Sequence, residues 1–553
     1  MLLTGAQIII ESLIEQDVNT VFGYPGGAVL HIYDELYKNS DKITHYTTCH
    51  EQGACHAADG YARVTGRPGV VIATSGPGAT NLVTGIANAY LDSVPLIAIT
   101  GNVSTALLGR DSFQEVDIAG VTMPITKYNY LVKDINRLAD VFREAFSLAC
   151  SGRPGPVLID IPKDVQTGLT NYEPKPPHTE TPETMIGGEK LAQITEIIKN
   201  AKRPYIYCGG GAVISNASEE LLTFADKIDA PVGLSIMGLT AVPYKNPRFL
   251  GMVGMHGRYG ATKALYESDL LIAVGVRFSD RATGNKAEFM RNRKIIQIDI
   301  DPAEIGKNIG VTANVIGDLK GALKVINAAV EQKKNPDWMK HIQFIKEHPD
   351  NNLEMDPNRL NPQMVIEGAC KRMADNVVVT DVGQHQMWTS QYYQFKKPRT
   401  FVTSGGLGTM GFGMGAAIGA CIGNGRKRTL LFTSEGSFHM NLNELATAVS
   451  NKLPLIIVLL NNQVLGMVRQ WQTLFFDGRY SNTSLERKTD FVKLAEAFGA
   501  TGMRAETSEE YEDCLKKAFK YDTPVLIDCK IDSDERVLPM IPPGGSLDDI
   551  ILR

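Results

Sequence analysis

"LLFTSEGSFHMNLNELATAVSNKLPLIIVLLNNQ", Leu430 to Gln463, decides the fold. A run of β-forming residues stops at Ser434-Glu435-Gly436-Ser437, a helix-length segment follows, and a second apolar run ends in Asn461-Asn462. That order predicts a strand–turn–helix–strand unit of a parallel sheet. It leaves an acid and an amide at the carboxyl ends of the two strands, where open parallel sheets bind ligands. Glu435 and Asn462 therefore face one crevice. A hard cation such as magnesium takes oxygen ligands, commonly one or two carboxylates with carbonyl and phosphate oxygens. Gly436 and Ser437 add backbone N–H groups at a helix start, where the helix dipole favours phosphate. Read alone, the same residues serve equally well as a helix N-cap and an asparagine turn.

Outward from this unit, two polar, proline-rich stretches divide the chain: "TNYEPKPPHTETPETMIGGEK" (Thr170 to Lys190) and "EQKKNPDWMKHIQFIKEHPDNNLEMDPNRLNP" (Glu331 to Pro362). They separate segments 1–170, 190–335 and 360–545. Each segment alternates short β-rich runs with helix-length amphipathic stretches. The expected fold class is α/β, as three consecutive α/β domains with mostly parallel sheets. "GVVIATSGPGATNLVTGIANAYLDSVPLIAITGN" in the first segment repeats the architecture of the opening stretch, without a residue-level repeat. The middle segment shows three strands, in "RPYIYCGGGAV", "DLLIAVGVRFSD" and "KIIQIDIDPAEIG", a pattern that suits a nucleotide-binding or nucleotide-derived domain.

The bulk numbers fit this division. The chain has 553 residues, room for three or four domains of roughly 150 residues. It is 43% hydrophobic and 21% charged, an ordinary globular composition. A net charge of -5 gives no reason to expect nucleic acid or an anionic membrane as partner. No apolar run approaches the roughly 20 residues that span a bilayer. The start, "MLLTGAQIIIESLIEQD", lacks a basic n-region and reads as an amphipathic first helix. The 8 cysteines are scattered without a CxxC pair, as free thiols in a reducing cytoplasm would be.

A second acid stands out in "HEQGACHAADGYARVTGRPG". Glu51 follows the β-rich "ITHYTTC" and opens a helix of small residues. A carboxylate at such a junction is placed for acid–base work, or is simply an acid favoured by the helix dipole. The combination of motifs is more specific. "YPGGAVL", "HEQGA", "SGPGATN", "GRPGPVLIDIPKDVQ", "GQHQMW", "GGLGTMGFG" and the acid-to-Asn-Asn unit occur in this order. Together they resemble the thiamine diphosphate-dependent enzymes of the pyruvate oxidase and acetohydroxyacid synthase type, from about Gly5 to Leu547. "DSFQEVDIAGVT", "GMHG", "VGVRFSDRATG" and "NNQVLGMVRQWQTLFF" resemble the catalytic subunits of acetohydroxyacid synthase in particular.

The resemblance implies an N-terminal pyrimidine-binding domain, a central FAD-binding-like domain and a C-terminal diphosphate- and metal-binding domain. It implies that Glu51 hydrogen-bonds the aminopyrimidine of the cofactor and promotes loss of the thiazolium proton. Met410 would hold the two rings close, with the Gly408 carbonyl receiving the amino group. Gln384, His385, Gly436 and Ser437 would contact the diphosphate, and Glu435, Asn462 and Val464 would hold Mg2+. Gly27 and Gln114 would line the reaction centre from the other subunit of at least a homodimer. Arg277, Trp471, Phe113, Met467 and Val468 would meet the second 2-ketoacid, with a planar bidentate cation for its carboxylate. FAD would lie on Gly209, Gly210, Met255, His256, Gly257, Asp299 and Asp318. The reaction implied is decarboxylation of pyruvate and transfer of the hydroxyethyl unit to pyruvate or 2-ketobutyrate, on the branched-chain amino acid route. A homodimer or tetramer and a small regulatory subunit are the implied partners.

The chain departs from the family pattern at several points. Ser434-Glu435-Gly436 stands where Gly-Asp-Gly or Gly-Asp-Ala is usual, so the expected metal ligand is one methylene longer. Met123 replaces an arginine that usually contacts FAD, Ser279 replaces an aspartate, and Cys49 replaces the arginine before "HEQGA". Met414-Gly415, Asn102 and Ser104 also differ. These changes leave two other readings open: a related lyase or carboligase with a different substrate, and a non-catalytic modulatory paralogue.

Overall fold

The computed structural model describes residues 1–177, 184–348, 359–373 and 375–552. Parts of both expected boundary stretches lie outside the described residues. Three parallel sheets of six strands each form the frame, with a small antiparallel pair, Leu2–Thr4 against Leu169–Asn171, beside the first. The first sheet runs Thr44–Thr47, Thr20–Gly23, Gly69–Ala73, Leu96–Asn102, Pro156–Pro162, Tyr128–Leu131. The third runs Phe401–Val402, Val377–Thr380, Thr429–Ser434, Leu455–Asn461, Val525–Lys530, Thr501–Ala505. Numbered in their own chain order, both sheets read 2-1-3-4-6-5. The architectural likeness of the two outer segments is thus a shared topology. Helices cover both faces, so the central strands are buried throughout; all of Leu455–Asn461 is.

The middle sheet runs Phe249–Met252, Val232–Leu234, Pro204–Cys208, Leu270–Val274, Lys294–Asp299, Ala313–Ile316, which is 3-2-1-4-5-6 in its own order. This is the order of dinucleotide-binding sheets, whose ligand crevice lies where the order reverses. Sequence reasoning found three of its strands. The other three are only three or four residues long, too short to carry a period.

The opening stretch differs from expectation in two details. No turn separates strand from helix: the helix Glu435–Asn441 starts directly after Ser434. The helical segment is also broken, resuming as Glu444–Ser450.

The outer domains meet through two helices, Glu51–Thr65 and Phe412–Gly423. Their backbones touch because the contact residues are glycine and alanine. A Cβ at Gly419 would overlap the Ala57 carbonyl oxygen, and one at Gly60 the Ala416 carbonyl oxygen. A buried polar cluster closes the end of this contact. Arg63 donates to Asp59 at 2.5 Å, to Asp92 at 2.8 Å and to the Thr403 carbonyl at 2.9 Å. Asp92 also accepts the Gly405 and Gly406 amides at 3.0 and 2.7 Å. Asn88 accepts the Ser404 hydroxyl at 2.5 Å and the Thr409 hydroxyl at 3.1 Å. The loop 403–409 of the C-terminal domain is therefore hung on side chains of the N-terminal domain. Among the described residues no helix is long and apolar enough to cross a membrane.

Gly419→Ala forces two backbones apart and should cost at least ~2 kcal/mol in urea unfolding. Gly188→Ala, with nothing near its added Cβ, should stay within about 0.5 kcal/mol. Asp92→Asn leaves the buried Arg63 short of a charge and should cost about 3 kcal/mol in the same assay.

Candidate active site

In the third sheet the strand order reverses between Val377–Thr380 and Thr429–Ser434. The chain leaves these strands at Asp381 and Glu435, so the acid singled out in the sequence stands at the topological switch point. Glu435 is buried, and burial pushes its carboxyl up to about 7. Its Oε2 has no hydrogen-bond partner. Asn462 and Val464 converge on it. With its amide oxygen turned inward, Asn462 places that oxygen 3.3 Å from Glu435 Oε1 and 3.0 Å from the Val464 carbonyl; turned over, its nitrogen donates to both at those distances. A cation between the three groups would hold the oxygen inward instead. One carboxylate, one amide and one carbonyl leave room for phosphate and water oxygens, which is the donor set magnesium uses.

Around this point lie the other C-terminal candidates. The helix Gln384–Tyr392 starts at the end of the neighbouring strand, and its first two side chains are buried. Gln384 Nε2 donates to Gln470 Oε1 at 3.1 Å and to the Glu535 carbonyl at 2.7 Å. That nitrogen is committed, so an anion here would meet the helix-start N–H groups. Burial lowers the His385 imidazole to about 3, and its Nε2 is a second buried atom without a partner. Ser437 donates to the Val382 carbonyl at 2.8 Å. A Cβ at Gly436 would stand 3.7 Å from Met410 Cε, which places the Met410 side chain over this helix start. Gly408, at φ 71°, lies in the loop that Arg63, Asn88 and Asp92 hold.

Glu51 is the first residue of its helix, with His50 as N-cap accepting the Gln52 amide at 3.1 Å. Asn81 donates to Glu51 Oε2 at 2.9 Å. Gly78 keeps Oε1 accessible, since a Cβ there would approach it to 3.1 Å. Among the described residues no hydrogen bond joins the Glu51 carboxylate to Gly408, Met410, Glu435 or Asn462. Gly27, Phe113 and Gln114 are exposed, Gln114 at φ 58°.

Met467, Val468 and Trp471 share the helix Gly466–Phe475, with Val468 exposed and the other two half-buried. The Trp471 ring lies under the Arg281 guanidinium, 5.7 Å from its centroid. Arg277, like Arg281, lines a cavity of about 2200 Å³ at the switch point of the middle sheet. Gly209, Gly210, Asp299, Asp318 and Gly408 line the same cavity, together with Arg153, Arg281, Lys307, Lys320 and Arg399. Gly209 packs against the Gly275 carbonyl so closely that no side chain fits. Burial raises the Asp299 carboxyl to about 6. A large crevice with many cations and a glycine floor fits a dinucleotide diphosphate. Met255, His256 and Gly257 do not line it. The Met255 carbonyl accepts the Ile541 amide at 2.8 Å and the His256 carbonyl accepts Gln391 at 3.0 Å, so these residues fasten the C-terminal tail and a helix of the third domain. Met123 is 69% exposed.

Sequence reasoning missed several residues of this arrangement. Asp381 carried the signal used for Glu435, an acid directly after the β-run "VVVT"; it accepts the Val382 and Gly411 amides, each at 2.9 Å. Arg63, Asn88 and Asp92 lie mid-helix or at a helix end and carried no such signal.

Comparisons with known proteins agree with this geometry. Residues 3–121 match the thiamine pyrophosphate enzyme N-terminal TPP binding domain, residues 191–326 the central domain, and residues 381–529 the C-terminal TPP binding domain. The chain is 45% identical to a probable acetolactate synthase large subunit of Methanocaldococcus jannaschii, over 99% of this chain and 95% of that one. It is 46% identical to the acetolactate synthase large subunit of Corynebacterium glutamicum, over 99% and 90%. Against the acetolactate synthase isozyme 2 large subunit of Escherichia coli K12 the identity is 44%, over 99% of each. Identity at this level along the whole length, with three modules in the order that the sheets require, means that the chain belongs to the acetolactate synthase large-subunit family of thiamine pyrophosphate enzymes.

Proposed function

We propose that the chain decarboxylates pyruvate and joins the hydroxyethyl unit to a second 2-ketoacid. Pyruvate as acceptor gives 2-acetolactate and 2-ketobutyrate gives 2-aceto-2-hydroxybutyrate, with one carbon dioxide released in each case. The observation that carries the reading is the pair of buried, unpartnered atoms at the switch point, Glu435 Oε2 and His385 Nε2, beside three converging oxygen-bearing groups. Burial without a partner is costly, and a bound cation and diphosphate would supply both.

Thiamine diphosphate, when bound, supplies the carbon nucleophile and the electron sink for loss of carbon dioxide. The chain's own groups do the rest. Glu435, Asn462 and the Val464 carbonyl would hold Mg2+, the counter-charge for the diphosphate. The helix-start amides at Gln384, His385, Gly436 and Ser437 take the phosphate oxygens. Met410, whose side chain lies over the start of the Glu435 helix, would support the cofactor, and the Gly408 carbonyl would be an acceptor for its amino group. Glu51 would exchange a proton with the aminopyrimidine through Oε1, while Asn81 holds Oε2. Arg277 takes the acceptor carboxylate, and Trp471, with Met467, Val468 and Phe113, offers apolar surface to its alkyl group. One methylene there is worth only about 1–3 kcal/mol.

FAD is assigned to the middle-sheet cavity, over Gly209 and Gly210, with Asp299 and Asp318 at strand ends. Met255 and His256 stand outside this cavity, fastening Ile541 and Gln391. Among the described residues of one chain no hydrogen bond joins the Glu51 carboxylate to Gly408, Met410, Glu435 or Asn462, and Gly27, Phe113 and Gln114 are exposed; both facts support sites shared across a homodimer, alone or paired into a tetramer. A small regulatory subunit completes the assembly. Eight free cysteines, six of them buried, suit work in the cytoplasm.

Incubation with pyruvate, Mg2+ and thiamine diphosphate, with and without FAD, should yield acetolactate; a chain that binds the cofactor but makes none acts on another ketoacid. Glu51→Gln should lower the rate about 10²- to 10⁴-fold with cofactor affinity retained. Glu435→Gln should raise the Mg2+ concentration needed for half-maximal cofactor binding by upward of about 100-fold, beyond the loss typical of an outer-shell partner. Titration calorimetry reads the last effect directly.

A further inference from the structure

The Gly in "HEQGA" has no role in the scheme above, and neither does the acid in "LNELAT". The structure puts them against each other. Glu444, from the third domain, is completely buried, and its carboxylate reaches the start of the Glu51 helix. Oε1 accepts the His50 amide at 3.0 Å and Asn443 Nδ2 at 3.3 Å. Oε2 accepts the Cys49 amide at 3.2 Å and the Thr447 hydroxyl at 2.7 Å. Each oxygen thus has two donors. The two backbone amides are those of consecutive residues, so the carboxylate grips the chain like a fork, immediately before Glu51. A Cβ at Gly53 would overlap Glu444 Oε1, so residue 53 is glycine because Glu444 comes this close.

We propose that Glu444 is a positioning residue: its carboxylate fixes the direction in which Glu51 enters its helix and so where the Glu51 carboxylate stands. The proposal rests on Glu51 acting on bound thiamine diphosphate. A buried carboxylate is an expensive way to satisfy two amides. A charged acceptor holds N–H groups at a helix start more strongly than a neutral one, and two acceptors on one rigid carboxylate fix their direction. Position is what a proton-exchanging group needs, since a displacement of about 1 Å costs on the order of 100-fold. The amides that Glu444 holds belong to His50, which is the N-cap, and to Cys49 before it. Their movement swings the first turn as a unit and carries Glu51 with it. Asn81 holds only the far end of the side chain.

The test compares hydrogen–deuterium exchange at the thiazolium C2 of bound thiamine diphosphate, read by proton NMR after acid quench, with cofactor affinity from calorimetry. In Glu444→Gln, C2 exchange should slow roughly 10- to 100-fold while the affinity for thiamine diphosphate stays within about threefold, because none of the diphosphate or metal contacts is touched. Backbone amide exchange in the peptide around Cys49–Gln52 should quicken in the same variant. Gly53→Ala should reproduce the slow C2 exchange by pushing the carboxylate away. The double variant Gly53→Ala/Glu444→Asp should recover most of it, since the shorter acid makes room for the new methyl. The rescue pair also decides the matter if Glu444→Gln does not fold. Unchanged C2 exchange in a folded Glu444→Gln, or affinity and exchange falling together, overturns the positioning role. A wild-type chain that binds no thiamine diphosphate overturns the cofactor reading and this role with it, and calorimetry on the wild type shows that before any variant is made.

Discussion

The contact between the helices Glu51–Thr65 and Phe412–Gly423 is the constraint on which the molecule depends. Both outer domains are self-contained parallel sheets, and nothing in either topology specifies how they dock. Glycine and alanine at the crossing bring backbone against backbone, so the helices have almost no freedom to slide. Two consequences reach the site. At one end of the contact, Glu444 takes the amides before Glu51. At the other, Asp92 and Asn88 take the loop that includes Gly408. Each domain therefore holds the functional segment of the other. A change in the crossing alters the Glu51 helix start and the loop 403–409 together, so the two do not vary independently.

Much of this was legible in the sequence. Continuous β-forming runs closed by Gly, Asn or an acid located the long strands, and the acid after a β-run located Glu435 and Glu51. Those signals are strong because a buried parallel strand must be apolar along its length and its chemistry must sit at its end. The short strands Val232–Leu234, Phe249–Met252 and Ala313–Ile316 were not legible, since three or four residues carry no period. Neither was the interdomain clamp. Arg63, Asp59 and Asp92 look like the ordinary charges of a helix surface, and only the docking of another domain makes them buried partners. The flavin candidates divided for a similar reason. Gly209 and Asp299 follow strands and line the cavity, whereas Met255 and His256 lie in a loop whose direction the sequence does not fix.

Glu435 stands where the resemblance led one to expect an aspartate. A glutamate there looks one methylene too long for a site built for aspartate. The strand Thr429–Ser434, however, passes into the helix at Glu435 without an intervening turn, and the side chain starts from the first helical residue. From there its Oε1 comes within 3.3 Å of the Asn462 amide group, beside the Val464 carbonyl. The added length is absorbed by the path of the side chain, and the strand keeps its register with Leu455–Asn461 through Ser434. Ser434 makes no side-chain capping bond, so the helix gains nothing from a serine there. The first turn at Glu435 is instead closed by His439, whose ring meets the Glu435 carbonyl at 2.6 Å and the Thr489 hydroxyl at 3.0 Å. A helix start fixed by side-chain bonds further along leaves the Glu435 carboxylate free of capping duty. One oxygen of that carboxylate is buried and unpaired, a cost that the fold alone gives no reason to keep.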